Sequence, residues 1–397
     1  MKEFRLGKFL SSIFICSALH TSLISCVLIP YFKSLSMLPL QISILVTIKR
    51  LVRLFGDMFF GLVFDRFGAK IVFLSGRLMK LTCYFIFLFN QDFIILCFSM
   101  LVYGLSEGTI QGKVSSFIYN NLKANDKLSA FSRAMSAYYL VIDIHIALMS
   151  FTAGILLKMY GYNFVIYISI AMNIVSLLLL IILIPNDNKD GINDFRSKSI
   201  RAILDTLRSI VSKNRLFAYL IIIYGILVFF AWQFGSIASM VLLDMGMDGT
   251  GVATLGSVVK ICMAIGTLIP VFIYKDVLSL SNVGVILLLL IFIGIISALS
   301  YNIYLFCIFM LLIDISYVML EVSLEKNLEQ FSDKTIRGTA ISLAMTFCNI
   351  IAVIANLLIG IIAQYLSYKI ALCLILCFAF MVCVLMLLKI RKIVYDN

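Results

Sequence analysis

Proline is nearly absent from this 397-residue sequence, with only 4, and charged residues make up just 13%. So little charge, beside 62% apolar side chains, excludes a water-soluble globule, a disordered chain and a coiled coil. The scarcity of proline excludes a collagen-like repeat. Histidine is limited to two residues, and the ten cysteines form no CxxC pair. That leaves no paired-Cys zinc set and no secreted disulfide framework, and the cysteines read as soft packing. Neither an HExxH motif nor a nucleophile elbow is present. Gly251–Gly256 has phosphate-loop spacing, but Ser257-Val258 stands where Lys followed by Ser or Thr is required. With no equipment for covalent chemistry or ATP hydrolysis, the chain reads as a non-enzyme without cofactor or metal.

What it has instead is long apolar runs. Twelve are read, near 9–32, 41–63, 69–89, 93–117, 134–158, 162–184, 216–243, 249–273, 281–300, 302–324, 338–366 and 368–389. A bilayer-spanning helix takes ~20 apolar residues, and these runs lack the alternation of a membrane barrel. Each is expected to be a helix, giving an all-α membrane protein of twelve transmembrane spans in two six-helix bundles.

The net charge of +12 follows topology rather than nucleic acid. With both termini in the cytoplasm, inner segments hold 22 Lys and Arg, whereas outer loops hold three, Lys33, Lys158 and Lys369. Seven lie inside spans: Lys49, Arg50, Arg53, Arg77, Lys80, Lys113 and Lys260. The basic start and the Leu23–Cys26 stretch are similar to a signal peptide and a lipoprotein cleavage box. Because the apolar run continues through Val27–Ile29, span one is expected to be retained. A bacterial inner-membrane location follows from this reading.

The longest polar segment separates residues 1–185 from 216–397. Within the 186–215 linker, Ile200, Ile203, Leu204, Leu207, Ile210 and Val211 recur at helical spacing, which predicts an amphipathic helix on the inner face. Ser132–Ala137 and Ile336–Ile341, 204 residues apart, each place an Arg before a small-residue helix start, as in an internal repeat.

Between spans two and three the sequence runs Gly61-Leu-Val-Phe-Asp65-Arg66-Phe-Gly68-Ala69-Lys70. Gly61 permits close helix approach, and Gly68 permits a turn that a side chain would obstruct. Asp65 is placed to cap the positive end of another helix, and Arg66 and Lys70 to meet lipid phosphates or carboxylates. This pattern resembles the loop signature of the major facilitator superfamily. The resemblance implies two bundles rocking about a mid-membrane site, with Asp65 meeting the helix that begins near Arg337. It also implies that spans 1, 4, 7 and 10 line the cavity, while 3, 6, 9 and 12 are scaffold. The ending Phe117-Ile-Tyr-Asn-Asn-Leu122, with Asp57 before Gly61, is similar to a bacterial efflux-like branch. Two departures from the family pattern go together: Ala69 replaces the usual base and Asn120 the acid it would pair with, which leaves no orphan charge. Against the exporter reading stands 138–157, which lacks the Gly-Pro exporter run.

Ionised groups within a bilayer are costly and are normally paired or wet. Arg50, Arg53 and Asp57 share one helical stripe, so Arg53–Asp57 is a possible internal pair, and a structural cluster with Glu107 or Asp143 is the alternative. Arg77 lies about 9 Å inside at 1.5 Å per residue, so its stem is expected to reach the surface. Substrate-cavity candidates are His20, Arg50, Arg53, Glu107, Gln111, Asp143, Trp232, Gln233, Lys260, Asp314 and Asn349. Glu107, Asp314, Glu321 and Asp57 are candidate proton-coupling carboxyls, the alternative being a fixed bridge to Lys260 or Arg53. Seven bases against five acids inside the spans favour an anionic or zwitterionic solute. The expected function is proton-coupled export of a small organic solute by a monomer in contact with membrane lipid. Import of an organic anion, and a transporter-like receptor or lipid-handling protein, are the alternatives.

Overall fold

The computed structural model describes residues 15, 19–20, 22–89, 91–110, 113–114, 116–118, 131–184, 235, 237–273, 280–300, 302–315 and 337–395. Among these residues every regular element is an α-helix. They include α1 Leu23–Cys26, α2 Leu28–Ser34, α3 Pro39–Phe67, α4 Ala69–Phe89, α5 Phe93–Gly108 and α6 Phe131–Leu183. After these come α7 Gly249–Ile273, α8 Leu280–Leu299, α9 Ile303–Ile315, α10 Arg337–Tyr365 and α11 Tyr368–Tyr395. The linker helix expected within 186–215 lies outside the described residues.

Several boundaries depart from the apolar runs for local reasons. Span one divides at Val27, because Pro30 has no N–H to offer the Cys26 carbonyl and is tolerated only in the first turn of a new helix. Span two continues through Phe67, so half of the loop motif is helical. The chain then reverses at Gly68, whose φ of 83° is the left-handed conformation that glycine supplies. The helix of span four breaks at Gly108, where the Thr109 hydroxyl donates to the Ser106 carbonyl at 2.7 Å, and helical residues resume at Lys113. Spans five and six form α6, with the turn at Gly161 (φ 78°).

The chain separates into two compact units, Met1–Phe195 with Asp248–Ala264, and Arg196–Met247 with Ile265–Asn397. The start of span eight thus packs with the first unit. Within that unit α3 crosses α5, α4 lies against α5 and α6, and α1 against α6. Within the second, α11 packs on α8 and α10. The turn over Tyr31–Leu40 recurs over Val241–Thr250 with the same order of helix, turn and burial. Its positive-φ position is Ser36 in the first copy and Gly246 in the second. Likewise Asp92 caps α5 through the Ile94 N–H at 2.9 Å, and Asn302 caps α9 through the Tyr304 N–H at 2.9 Å. At the second turn, bonds from the Thr250 hydroxyl and the Gly251 N–H hold the Asp248 carboxyl below the usual range.

Among the described residues three helical stretches are long and apolar enough to cross a membrane: Ala69–Phe89, Ala137–Leu183 and Tyr368–Leu385. Helix α3 is longer than the first of these but carries Lys49, Arg50, Arg53 and Asp57. Its exposed residues Leu51, Phe55, Phe59 and Leu62 form an apolar stripe, while Lys49, Arg53 and Asp57 run four apart on the other side. One face suits acyl chains and the other does not.

Glycine sets the α3–α5 separation. A Cβ on Gly104 would lie 2.4 Å from the Lys49 carbonyl oxygen, and one on Gly108 would lie 2.7 Å from the Gly56 carbonyl carbon. The two helices cross at backbone contact there. Gly61 differs from expectation: among the described residues nothing lies within 4 Å of its Cβ position, so close approach is made by Gly104 and Gly108 instead. Next to the Gly68 turn Phe64, Val72, Phe73 and Val114 pack with Leu180 and Ile184, which seats it.

Arg77 corrects a second expectation. Its stem does not carry it to the surface: the side chain is 1% exposed, and Nη1 donates to Asn173 Oδ1 at 3.1 Å. Asn173 Nδ2 returns a bond to the Arg77 carbonyl at 3.0 Å. A partner on α6 makes snorkelling unnecessary. Asn173→Ala is expected to lower stability by about 2–4 kcal/mol, because a buried guanidinium loses an acceptor. Thermal unfolding of the purified protein checks this, and the double change Arg77→Met with Asn173→Leu should recover most of the loss. Wild-type unfolding by Asn173→Ala alone would show that the pair does not hold α4 to α6.

Candidate functional site

The crossing of α3 and α5 builds the site. Gly104 and Gly108 bring the α3 backbone against α5, and Glu107 lies between them in sequence. Glu107 Oε1 is 3.3 Å from Lys49 Nζ and Oε2 is 3.5 Å from Arg53 Nη1. The three side chains are 22%, 22% and 24% exposed, on the side of α3 away from its apolar stripe. Charged side chains at membrane depth normally face water or a partner rather than lipid. Arg50 is within electrostatic reach of both Arg53 and Glu107.

Tyr103, one turn before Glu107, is fully buried. Lys49 Nζ and Lys80 Nζ each lie 5.2 Å from its ring centroid. The two ammoniums are therefore no more than twice that distance apart, where like charges repel by roughly 1.5 kcal/mol or more at an effective dielectric of about 20. The Tyr103 hydroxyl donates to Ser25 Oγ at 2.8 Å, and Ser25 bonds Ser22, which bonds Tyr84. The break at Val27 leaves these serines in short α1 and its cap, which is how span one contributes hydroxyls here.

Two further pairs lie in the same unit. Lys113 Nζ pairs with the Asp57 carboxylate and also donates to the Asp57 carbonyl. Lys260 Nζ is 3.3 Å from Asp143 Oδ1. The internal pair Arg53–Asp57 is thus not the one formed: Arg53 turns to Glu107 and Asp57 to Lys113. Of the other candidates, His20 meets Tyr138 edge-on with centroids 6.0 Å apart. Asp314, in the second unit, is buried, and Asn349 is half-buried. Gln111, Trp232, Gln233 and Glu321 lie outside the described residues, as do the side chains of Asp65 and Arg337. Arg66 is exposed beside the Phe67 ring at 5.4 Å, and Lys70 is half-buried. Among the described residues no group of His, Cys, Asp and Glu is arranged to hold a metal ion.

Sequence reasoning left Lys49, Tyr103 and the Ser22–Ser25–Tyr84 hydroxyls out of the site and placed Lys80 on scaffold. Lys49 and Arg53 are four apart, as are Tyr103 and Glu107, and that spacing was the available signal.

The family model described as Major Facilitator Superfamily matches residues 10–275, well over half the chain. The chain belongs to the Major Facilitator Superfamily. It is a multi-pass membrane protein and a secondary transporter of the superfamily kind. No curated protein matches the sequence. Among solved structures, a mutant of the nucleoside transporter NupG is similar with a TM-score of 0.77 at 14% identity, covering 96% of this chain and 99% of that one. The POT family transporter PepTSo is similar with a TM-score of 0.74 at 13% identity over 100% of both chains. A bacterial homologue of the human lysosomal transporter Spinster gives 0.68 at 13%, over 99% of this chain and 96% of that one. At these identities the likeness is one of fold. The superfamily's all-α architecture is what they share with this chain.

Proposed function

We propose that this transporter carries a small organic anion or zwitterion together with a proton, through the Lys49–Arg53–Glu107 site. One observation carries the reading: the Glu107 carboxylate is ion-paired with two bases, Lys49 and Arg53, that an anionic solute would need. Solute and carboxylate therefore compete for Lys49 and Arg53. Adding a proton to Glu107 ends that competition, so anion and proton bind together and cross together. The protein would then work in a bacterial inner membrane with both termini inside, as the base distribution supports. Two bundles, 1–185 and 216–397, would rock about the site, with Asp65 and Arg337 in the gating contact.

Export in exchange for protons is the second reading, and it rests on the efflux-like residues Asp57 and 117–122. Exchange requires solute and proton to exclude each other, whereas the Glu107 geometry favours joint binding. Proteoliposomes with an imposed pH gradient separate the two. With a panel of labelled mono- and dicarboxylates, joint transport predicts that anion and protons enter the same compartment together. Protons moving against the anion would establish exchange. Absence of flux for every solute that binds would leave a transporter-like receptor.

A further inference from the structure

Lys80 sits on α4, a helix that the superfamily resemblance assigns to scaffold. It is 7% exposed, and among the described residues no carboxylate lies within ion-pair distance of it. Its described neighbours are the Tyr103 ring, Arg77, Lys49 and, at longer range, Glu107. Glu107 is ion-paired with Lys49 and Arg53. Among the described residues Lys49, Arg53 and Lys80 thus gather around the Glu107 carboxylate, with two ammoniums drawn to the same aromatic ring. A buried ammonium without an anion is costly, and a local excess of positive charge calls for more than one negative charge. Beside it the Ser22–Ser25–Tyr84–Tyr103 hydroxyls add bonding groups on the Tyr103 side.

From this juxtaposition we infer that the solute is a dianion, a small dicarboxylate or a phosphate monoester. One carboxylate, or one edge of the phosphate, meets Lys49 and Arg53, and the second negative charge meets Lys80 beside Tyr103. The inference rests on the anion-carrier reading and adds the second charge and the residue that reads it. Lys80 is then a specificity-determining residue, because a solute with one charge leaves its ammonium unanswered.

Calorimetric titration of the full-length protein in detergent tests this. The probes are dicarboxylates of three to six carbons with their monoamides, and glycerol phosphate with its monomethyl ester. A dianion should bind at least about tenfold more tightly than its singly charged partner. The carboxylate or the phosphate arm will carry that preference, which identifies the group. The dicarboxylate series should show an optimum length, since two fixed subsites select one span. Lys80→Gln should bring the ratio to about one, and Lys80→Arg should keep it above about threefold. Equal binding of dianions and their singly charged partners, or no length optimum, overturns the inference while the anion-carrier reading stands. A preference unchanged by Lys80→Gln removes Lys80 from the site. Failure of every anion to bind, with neutral or cationic solutes bound instead, overturns the carrier reading itself.

Discussion

Glu107→Gln is expected to abolish gradient-driven accumulation while leaving solute exchange intact. The amide has nearly the shape of the carboxylic acid, so it fixes the protonated state without emptying the crossing of α3 and α5. Lys49 and Arg53 then lose their carboxylate partner at 3.3 and 3.5 Å and become open to an anion. Uphill uptake driven by a pH gradient should fall by roughly a hundredfold or more, the scale on which removal of a general acid or base acts. Exchange of labelled for unlabelled solute across equal pH should stay within about threefold, because it needs no net proton movement. Asp314→Asn is the companion variant, since Asp314 is the buried carboxyl described in the second unit. If Glu107→Gln keeps full gradient-driven accumulation and Asp314→Asn loses it, coupling belongs to the second unit. If both keep it, neither carboxyl couples transport to protons.

The sequence shows the architecture well and the pairing within it poorly, for a physical reason. Apolar run length and the inner bias of Lys and Arg are set by the bilayer and are read one segment at a time. Gly68 was legible for a similar reason, because a reversal between adjacent helices needs positive φ at one residue. Charge pairing is different. The local rule of four residues per turn suggested Arg53 with Asp57, but the observed partners come from elsewhere, Glu107 on α5 and Lys113 beyond it. Which side chains meet depends on where two helices cross, and that is decided by Gly104 and Gly108, two small residues among 22 glycines. Arg77 was misjudged because depth along a helix says nothing about a partner such as Asn173 on another. Tyr103 had only its four-residue spacing from Glu107 as a signal: one aromatic in a chain with 13% aromatics is unremarked until two ammoniums converge on its ring. Lys80 was set aside through its span number, although a base near the middle of an apolar helix already carried the cost that points to function.

The crossing itself supplies the other large effect. In Gly104→Ala a methyl group would stand 2.4 Å from the Lys49 carbonyl oxygen and 3.1 Å from the Arg53 amide nitrogen. Both neighbours are backbone, so no side-chain rotation relieves the contact, and α3 must move away from α5 by roughly an ångström. That movement acts on the residues whose side chains hold Glu107. The overpacking should lower stability by about 1–3 kcal/mol, read as earlier thermal unfolding. Misplacement of the two bases by about 1 Å should reduce coupled transport by roughly a hundredfold, well beyond what lost stability explains in protein that remains folded. Gly61→Ala is the control on the same helix, since nothing described lies within 4 Å of its Cβ position, and its effect on unfolding should stay within about 0.5 kcal/mol. Were Gly104→Ala to unfold and transport like Gly61→Ala, the α3–α5 contact would not be what positions Lys49 and Arg53. A transport loss with unchanged unfolding would place the whole effect in the geometry of the Glu107 site.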